Sequence, residues 1–179
     1  QRVPVELLNH MTASISTEIS HYSIKSESHA PAIVTVATYN IHSGRGHDGK
    51  RNLQATIDTI KDFNADIIAL QEVERIGFRS GFVDQFSTLA KQLNMHAAFA
   101  PTLKIPGLYY GNAILSKYPI LNVNTIYFES SLERRAAQIV EIERFPNQSI
   151  YVVNTHFGLD REERAEHFQL LYGLIQLID

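Results

Sequence analysis

The 179-residue sequence predicts a mixed domain of the α+β (α/β) class. Two patterns carry that expectation. From Ala32 onward, short apolar runs bounded by turn residues are interleaved with stretches of helical period, first in the order strand, helix, strand. Beyond Asn112 the apolar runs follow one another with only turn residues between them, so strands outnumber helices in the second half.

Residues 1–31 are rich in Ser, Thr and His and read as a flanking or linker segment. Leu8, Met11, Ile15, Ile19 and Tyr22 fall at helical spacing there and equally suit one amphipathic helix docked on a neighbour. The domain proper occupies residues 32–179. Ile33 to Tyr39 read as a strand ending at Asn40, followed by a polar loop from Ser43 to Gly49 in which Asp48 is placed to cap the next helix. Leu53, Ile57, Ile60 and Phe63 share one face of that helix, and Asp66 to Leu70 form a second strand running into Gln71-Glu72. Asp84 is an N-cap for a helix whose apolar face is Phe86, Leu89, Ala90 and Leu93, with a short strand, His96 to Ala100, behind it. Asn112 to Leu115 and Ile120 to Phe128 come next. Ala136 to Ile142 and Ile150 to Val153 flank Phe145-Pro146-Asn147-Gln148, which predicts an antiparallel hairpin. Arg161 to Ile178 predict a helix with Phe168, Leu171, Leu174, Ile175 and Ile178 inward and Arg161, Glu162 and Glu166 outward.

Composition narrows the chemistry. At 44% hydrophobic and 20% charged residues the chain is expected to be a soluble globular domain. With 16 Lys+Arg against 19 Asp+Glu and a formal charge of -3, it has no global positive field to draw it onto nucleic acid or an anionic membrane, although a local basic patch stays open. Cysteine is absent, which excludes a disulfide framework, a thiolate nucleophile and cysteine-ligated metal, and leaves the compartment open. No apolar run approaches the roughly 18 to 20 residues of a membrane span, and the N-terminus lacks a secretory signal pattern. The start at Gln1 and the stop at Asp179 directly after an apolar segment make both ends read as cut.

Polar residues cluster at predicted strand ends. Tyr39-Asn40, Gln71-Glu72 and Asn154-Thr155-His156 each terminate an apolar run, and such ends converge at the rim of a sheet where ligands bind in α/β proteins. A carboxylate and an amide oxygen there are hard donors suited to Mg²⁺ or Mn²⁺, and a nearby imidazole can move a proton or hold a phosphate oxygen. The combination points to phosphoester chemistry. Singly, each residue has a structural reading: Asn40 as a turn former, His156 as a satisfied core or surface residue. Glu72, directly after the apolar run Ile67 to Leu70, would be partly buried and must then have a cation or donors. Arg134 and Arg135 could clamp a phosphate or form a solvated cluster with Glu133. The loop from Gly44 to Gly49 matches neither the dinucleotide nor the P-loop pattern, and His42 and His47 lack a carboxylate at metal-ligand spacing.

Four segments together, Ala37-Thr38-Tyr39-Asn40-Ile41-His42, Ile67-Ile68-Ala69-Leu70-Gln71-Glu72-Val73, the run from Tyr110 to Ile120, and Val152-Val153-Asn154-Thr155-His156-Phe157, resemble the endonuclease/exonuclease/phosphatase superfamily of deoxyribonuclease I-like phosphoesterases. The resemblance implies a four-layer α/β/β/α sandwich, two mixed sheets flanked by helices, with the site at one rim. It implies that Glu72 is a direct Mg²⁺ ligand and a catalytic residue, and that Asn40 orients metal, water or phosphate. It further implies that Arg135, followed by Ala136-Ala137, contacts the scissile phosphate, that His156 bonds a phosphate oxygen or assists proton transfer, and that Asn112 and Asn154 line the phosphate site. The reaction implied is in-line attack of water on phosphorus.

The sequence also departs from the family. The Gly-Asp-x-Asn motif and the terminal Asp-His motif of its second half are absent, so the domain is expected to be incomplete at its C-terminus and inactive alone. Its partners are then a phosphorylated substrate (small molecule, lipid head group or nucleic acid) and its missing C-terminal half. The alternative is a non-catalytic module that binds a phosphorylated ligand or a protein. Arg75, Arg79, Lys104 and Tyr109-Tyr110 are placed in loops beside the site and read as substrate contacts or as solvated side chains.

Overall fold

The computed structural model describes residues 33–130 and 133–176, together with the backbone of Glu18–Ser20. In chain order the elements are β1 (Glu18–Ser20), β2 (Val36–Asn40), a 3₁₀ turn (His42–Gly44), α1 (Leu53–Phe63), β3 (Ile67–Arg75), α2 (Gln85–Leu93), β4 (His96–Ile105), β5 (Leu108–Ser116), β6 (Ile120–Phe128), β7 (Arg135–Phe145), β8 (Gln148–Thr155) and α3 (Arg161–Ile175). Ile19 lies in a strand, paired with Ala98, and not in the helix that its spacing suggested; the rest of that proposed helix falls outside the described residues.

One sheet has five strands in the order β1-β4-β5-β3-β2, and the other three in the order β6-β7-β8. Among the described residues only β2 and β3 pair in parallel, and the three-stranded sheet is antiparallel. The unbroken apolar run of β3 follows from burial on both faces. Ile68 and Leu70 pack with Phe99, Leu115 and the inner faces of α1 and α2, including Ile57, Ile60, Phe86 and Leu89. Ile67 and Ala69, on the opposite face, pack with Ile114 and with Ile120, Val140 and Ile142 of the second sheet. Leu171 of α3 reaches Phe128 and Ala137 on the far side of that sheet. The result is the four-layer sandwich expected.

Helix ends follow local chemistry. Asp84 caps α2, accepting from the Ser87 amide at 3.0 Å. The cap of α1 is Asn52, which accepts from Ala55 at 3.0 Å, because Asp48 is occupied by the Lys50 amide at 3.0 Å within its own turn. In α3 the inward positions are His167, Leu171 and Leu174, whereas Phe168 and Ile175 are exposed. His167 takes the inner place: it stacks on Phe128 with centroids 4.9 Å apart and its Nε2 lies 2.8 Å from the Glu129 carbonyl. Ile178 lies outside the described residues.

β4 and β5 are longer than the apolar pattern suggested and meet in a hairpin at Pro106-Gly107. Arg75, Lys104, Tyr109 and Tyr110 therefore stand on strands and not in loops. Close approach of the two strands requires Gly111, where a Cβ would overlap the Ala100 carbonyl and come within 2.9 Å of Pro101 Cα.

Candidate active site

The site begins where β3 breaks register. Pairing with β5 passes from Leu70 opposite Ala113 to Val73 opposite Gly111, leaving a bulge at Gln71-Glu72, and Glu72 adopts φ 58°. Bulges re-aim side chains. Glu72 is turned toward the end of β2, where Asn40 Nδ2 donates to its Oε1 at 2.9 Å. The Asn40 amide is itself oriented, its Oδ1 accepting from the His42 amide at 2.9 Å.

A tyrosine lies near the carboxylate. Tyr110 is buried opposite Glu74 in β5, with its hydroxyl close to the Glu72 carboxylate. Burial, then the negative charges of Glu72 and Glu133, push its phenol far above the ordinary range, so it stays protonated. Arg79 lies over its ring at 5.4 Å. A cleft of about 350 Å³ opens beside it, lined by Arg79, Thr102, Leu103, Leu108, Glu133 and Arg134 among others.

Arg135 and His156 form the second half of the arrangement. Arg135 opens β7 with 8% of its surface exposed; Nη1 lies 3.5 Å from His156 Nδ1 and Nη2 3.6 Å from Glu133 Oε2. Its Nε has no partner among the described residues. Burial first and the Arg135 charge second hold the His156 pKa below its ordinary value, against the opposing charges of Glu72 and Glu133. A neutral imidazole that accepts from Arg135 at Nδ1 carries its proton on Nε2. Arg134 is directed elsewhere, its guanidinium 3.9 Å from the centre of the Tyr127 ring.

Asn112 and Asn154 do not face the open rim. Both are 2% exposed. Asn112 Nδ2 donates to the Ala136 carbonyl at 3.3 Å, across the two sheets. Asn154 Nδ2 donates to the carbonyls of Leu70 at 2.9 Å and Ala113 at 3.0 Å, and its Oδ1 accepts from Gln71 Nε2 at 2.8 Å. These amides tie the sheets together at the bulge, and Asn154 has both of its N–H groups committed to carbonyls there. Arg75 is likewise internal, bound to Asp84 at 2.9 Å and lying over Phe86 and Phe99. Sequence reasoning missed the place of Tyr110 beside Glu72 and Gln71 as the anchor of Asn154. Continuity of Tyr109-Tyr110 with the apolar run after Gly111 was the available signal for the first.

Two sheets face to face between helices, with these polar side chains gathered along one end, define the endonuclease/exonuclease/phosphatase fold, the fold of hydrolytic nucleases and phosphatases. An endonuclease/exonuclease/phosphatase from Beutenbergia cavernae superposes with a TM-score of 0.63 at 20% identity, over 76% of this chain and 42% of the other. TDP2 from Caenorhabditis elegans gives 0.60 at 26% identity, over 81% and 42%. D. rerio TDP2 complexed with a single-strand DNA product gives 0.60 at 14% identity, over 82% and 56%. Residues 31–178 match the family described as PGAP2IP, C-terminal nuclease-like domain, and the chain belongs to that family. No curated protein sequence matches it significantly. The chain spans 42% to 56% of the length of these three solved structures.

Proposed function

We propose that this chain carries the Glu72, Asn40, Arg135 and His156 portion of a Mg²⁺-dependent phosphoesterase site, which hydrolyses a phosphodiester or phosphomonoester. The observation that carries the reading is the oriented, half-buried carboxylate of Glu72 on its bulge, bonded by Asn40 and close to the protonated Tyr110, beside a neutral histidine and a buried arginine.

No group of three or more metal-ligating His, Asp or Glu side chains converges among the described residues. The Glu72 carboxylate nevertheless fits Mg²⁺, which keeps several waters and takes few protein ligands, and Mn²⁺ suits the same donor; Asn40, with its Nδ2 on Glu72 and its Oδ1 on the His42 amide, orients that carboxylate. When bound, the ion would polarise a phosphoryl oxygen and offset charge on the leaving oxygen. The protein's own groups do the rest. Asn40 fixes the Glu72 carboxylate, the Arg135 guanidinium donates to a phosphate oxygen, and the His156 Nε2–H donates to a second oxygen. Positioning of the attacking water is assigned to the Gly-Asp-x-Asn and Asp-His groups that this sequence lacks, supplied by further polypeptide. The single-strand DNA product held by D. rerio TDP2 supports a nucleic acid as one substrate class.

The test is hydrolysis of bis-para-nitrophenyl phosphate by this chain and by a C-terminally extended polypeptide, with Mg²⁺ binding followed separately by thermal shift. Glu72→Gln should weaken Mg²⁺ affinity by about tenfold or more. Chelation should abolish turnover. An unchanged Mg²⁺ affinity in Glu72→Gln would refute the metal assignment, and binding without turnover in either polypeptide would favour a non-catalytic phosphate-binding module.

A further inference from the structure

Beyond the reaction, the end of the five-stranded sheet next to the cleft carries an unusual surface. The loop from Ile76 to Val83 leaves β3, and the outer end of the β4–β5 hairpin, Leu103 to Gly107, lies beside it. Arg75 pairs with Tyr109, and Leu108 occupies the space next to Gly77. Phe78 is 67% and Phe82 69% exposed, and Ile76, Val83, Leu103 and Ile105 are exposed around them.

This loop is built, not slack. Phe82 N donates to the Gly77 carbonyl at 2.7 Å and Ile76 N to that of Val83 at 3.2 Å. Ser80 Oγ lies 2.9 Å from the Gly77 carbonyl, and the Ser80 amide bonds the Glu74 carboxylate. Arg51 clamps the turn from outside, donating to the carbonyls of Arg79 at 2.8 Å and Phe78 at 2.6 Å. Ile76 and Phe82 are held at φ 57° and 64°, which costs energy in any side-chain-bearing residue. The fold thus fixes two phenyl rings facing outward, where water is a poor neighbour.

Charge indicates what covers them. In Ile76–Val83 and Leu103–Gly107 the charged residues are Arg79 and Lys104, both cations, on a chain with net charge -3. Lys104 lies over Tyr109 at 5.5 Å, as Arg79 does over Tyr110. We propose that this face docks on an anionic lipid bilayer, with Phe78, Phe82, Ile105 and Leu103 entering the headgroup boundary and Arg79 and Lys104 meeting lipid phosphates. Nucleic acid fits less well. Its single strands use aromatic stacking within a mainly cationic groove, whereas four aliphatic side chains here offer no stacking and outnumber the two cations.

Docking is measured without turnover, so its outcome is separable from the phosphoesterase reading. The chain is sedimented with vesicles of phosphatidylcholine alone and of phosphatidylcholine with phosphatidylserine. Binding is expected to the second only, to weaken with added salt, and to be unchanged by Glu72→Gln. Phe78→Ser with Phe82→Ser should lower partitioning at least tenfold, and Arg79→Gln and Lys104→Gln about fivefold each. Phe168→Ser, on an exposed ring of α3, should change nothing. Thermal melts establish that each variant is folded, and Ile105→Ser replaces the double variant should that one unfold. Failure of the chain to sediment with anionic vesicles overturns the proposal, as does an equal loss with Phe168→Ser. So would a dimer abolished by the double Phe variant, or single-stranded DNA binding that depends on Arg79 and Lys104 in the absence of vesicle binding.

Discussion

Replacing Asn154 separates a structural amide from a ligand. Its side chain makes three hydrogen bonds of 2.8 to 3.0 Å at the bulge, each buried. Gln71 Nε2 keeps Thr38 Oγ1 at 3.1 Å and the Ala69 carbonyl at 3.3 Å when Asn154 is removed, so its loss is partial. The carbonyls of Leu70 and Ala113 lose the amide outright. At about 1 kcal/mol net per bond, Asn154→Ala should cost about 2–3 kcal/mol. For a domain of this size that corresponds to a fall in Tm of about 4–12 °C. Asn154→Asp should cost more, because a carboxylate would face two carbonyl oxygens with nothing to donate. Urea unfolding followed by circular dichroism measures both. A free-energy change within about 0.5 kcal/mol for the alanine variant, together with weakened binding of a phosphate ester, would refute the bridging role and restore the ligand role that the residue's position after an apolar strand suggests.

Two further outcomes depend on pH. Because His156 titrates below its ordinary value in the folded chain, the folded state binds fewer protons, and stability falls as pH drops through the unfolded value of 6.5 toward the lower folded one. His156→Asn should flatten that decline in urea midpoints between about pH 7.5 and 5, and an unchanged slope would contradict it. For Asp84, burial is outweighed by hydrogen bonds from Arg75 and Ser87, which hold its carboxyl below 3.8; this stability is present above that value and lost as pH falls through the folded one. Asp84→Asn, which keeps the helix cap, should cost about 1–2 kcal/mol at neutral pH and much less in melts near pH 3, with a constant cost counting against the ion pair.

The layers were legible where one physical signal dominated. An apolar run from Ile67 to Leu70 can be continuous only if both faces are covered, and the two core clusters show that they are. Asn40 and Glu72 meet because parallel pairing sets Asn40 against Gln71. The bulge itself was not legible, since nothing in Gln71-Glu72 distinguishes a kinked pair from a straight one. Asn112 and Asn154 show the limit of residue type: an amide that binds carbonyls between sheets and one that binds phosphate look alike in sequence. Pro101 interrupts the apolar pattern of β4, which continues through a bulge between Pro101 and Leu103. In α3 the inward stripe is displaced because a histidine with a carbonyl partner can be buried like an apolar residue.

The left-handed backbone of Glu72 sets stability selection against the site. A glutamate at φ 58° holds a conformation that glycine adopts freely and that costs other residues about 1–2 kcal/mol. Glu72→Gly would therefore relieve the backbone while deleting the carboxylate, and library enrichment for heat resistance alone would accumulate proteins that fold better and have lost the group on which the proposed chemistry rests. Any engineering of this chain for robustness has to hold position 72 fixed and recover the lost free energy elsewhere, for instance in the exposed apolar residues of α3.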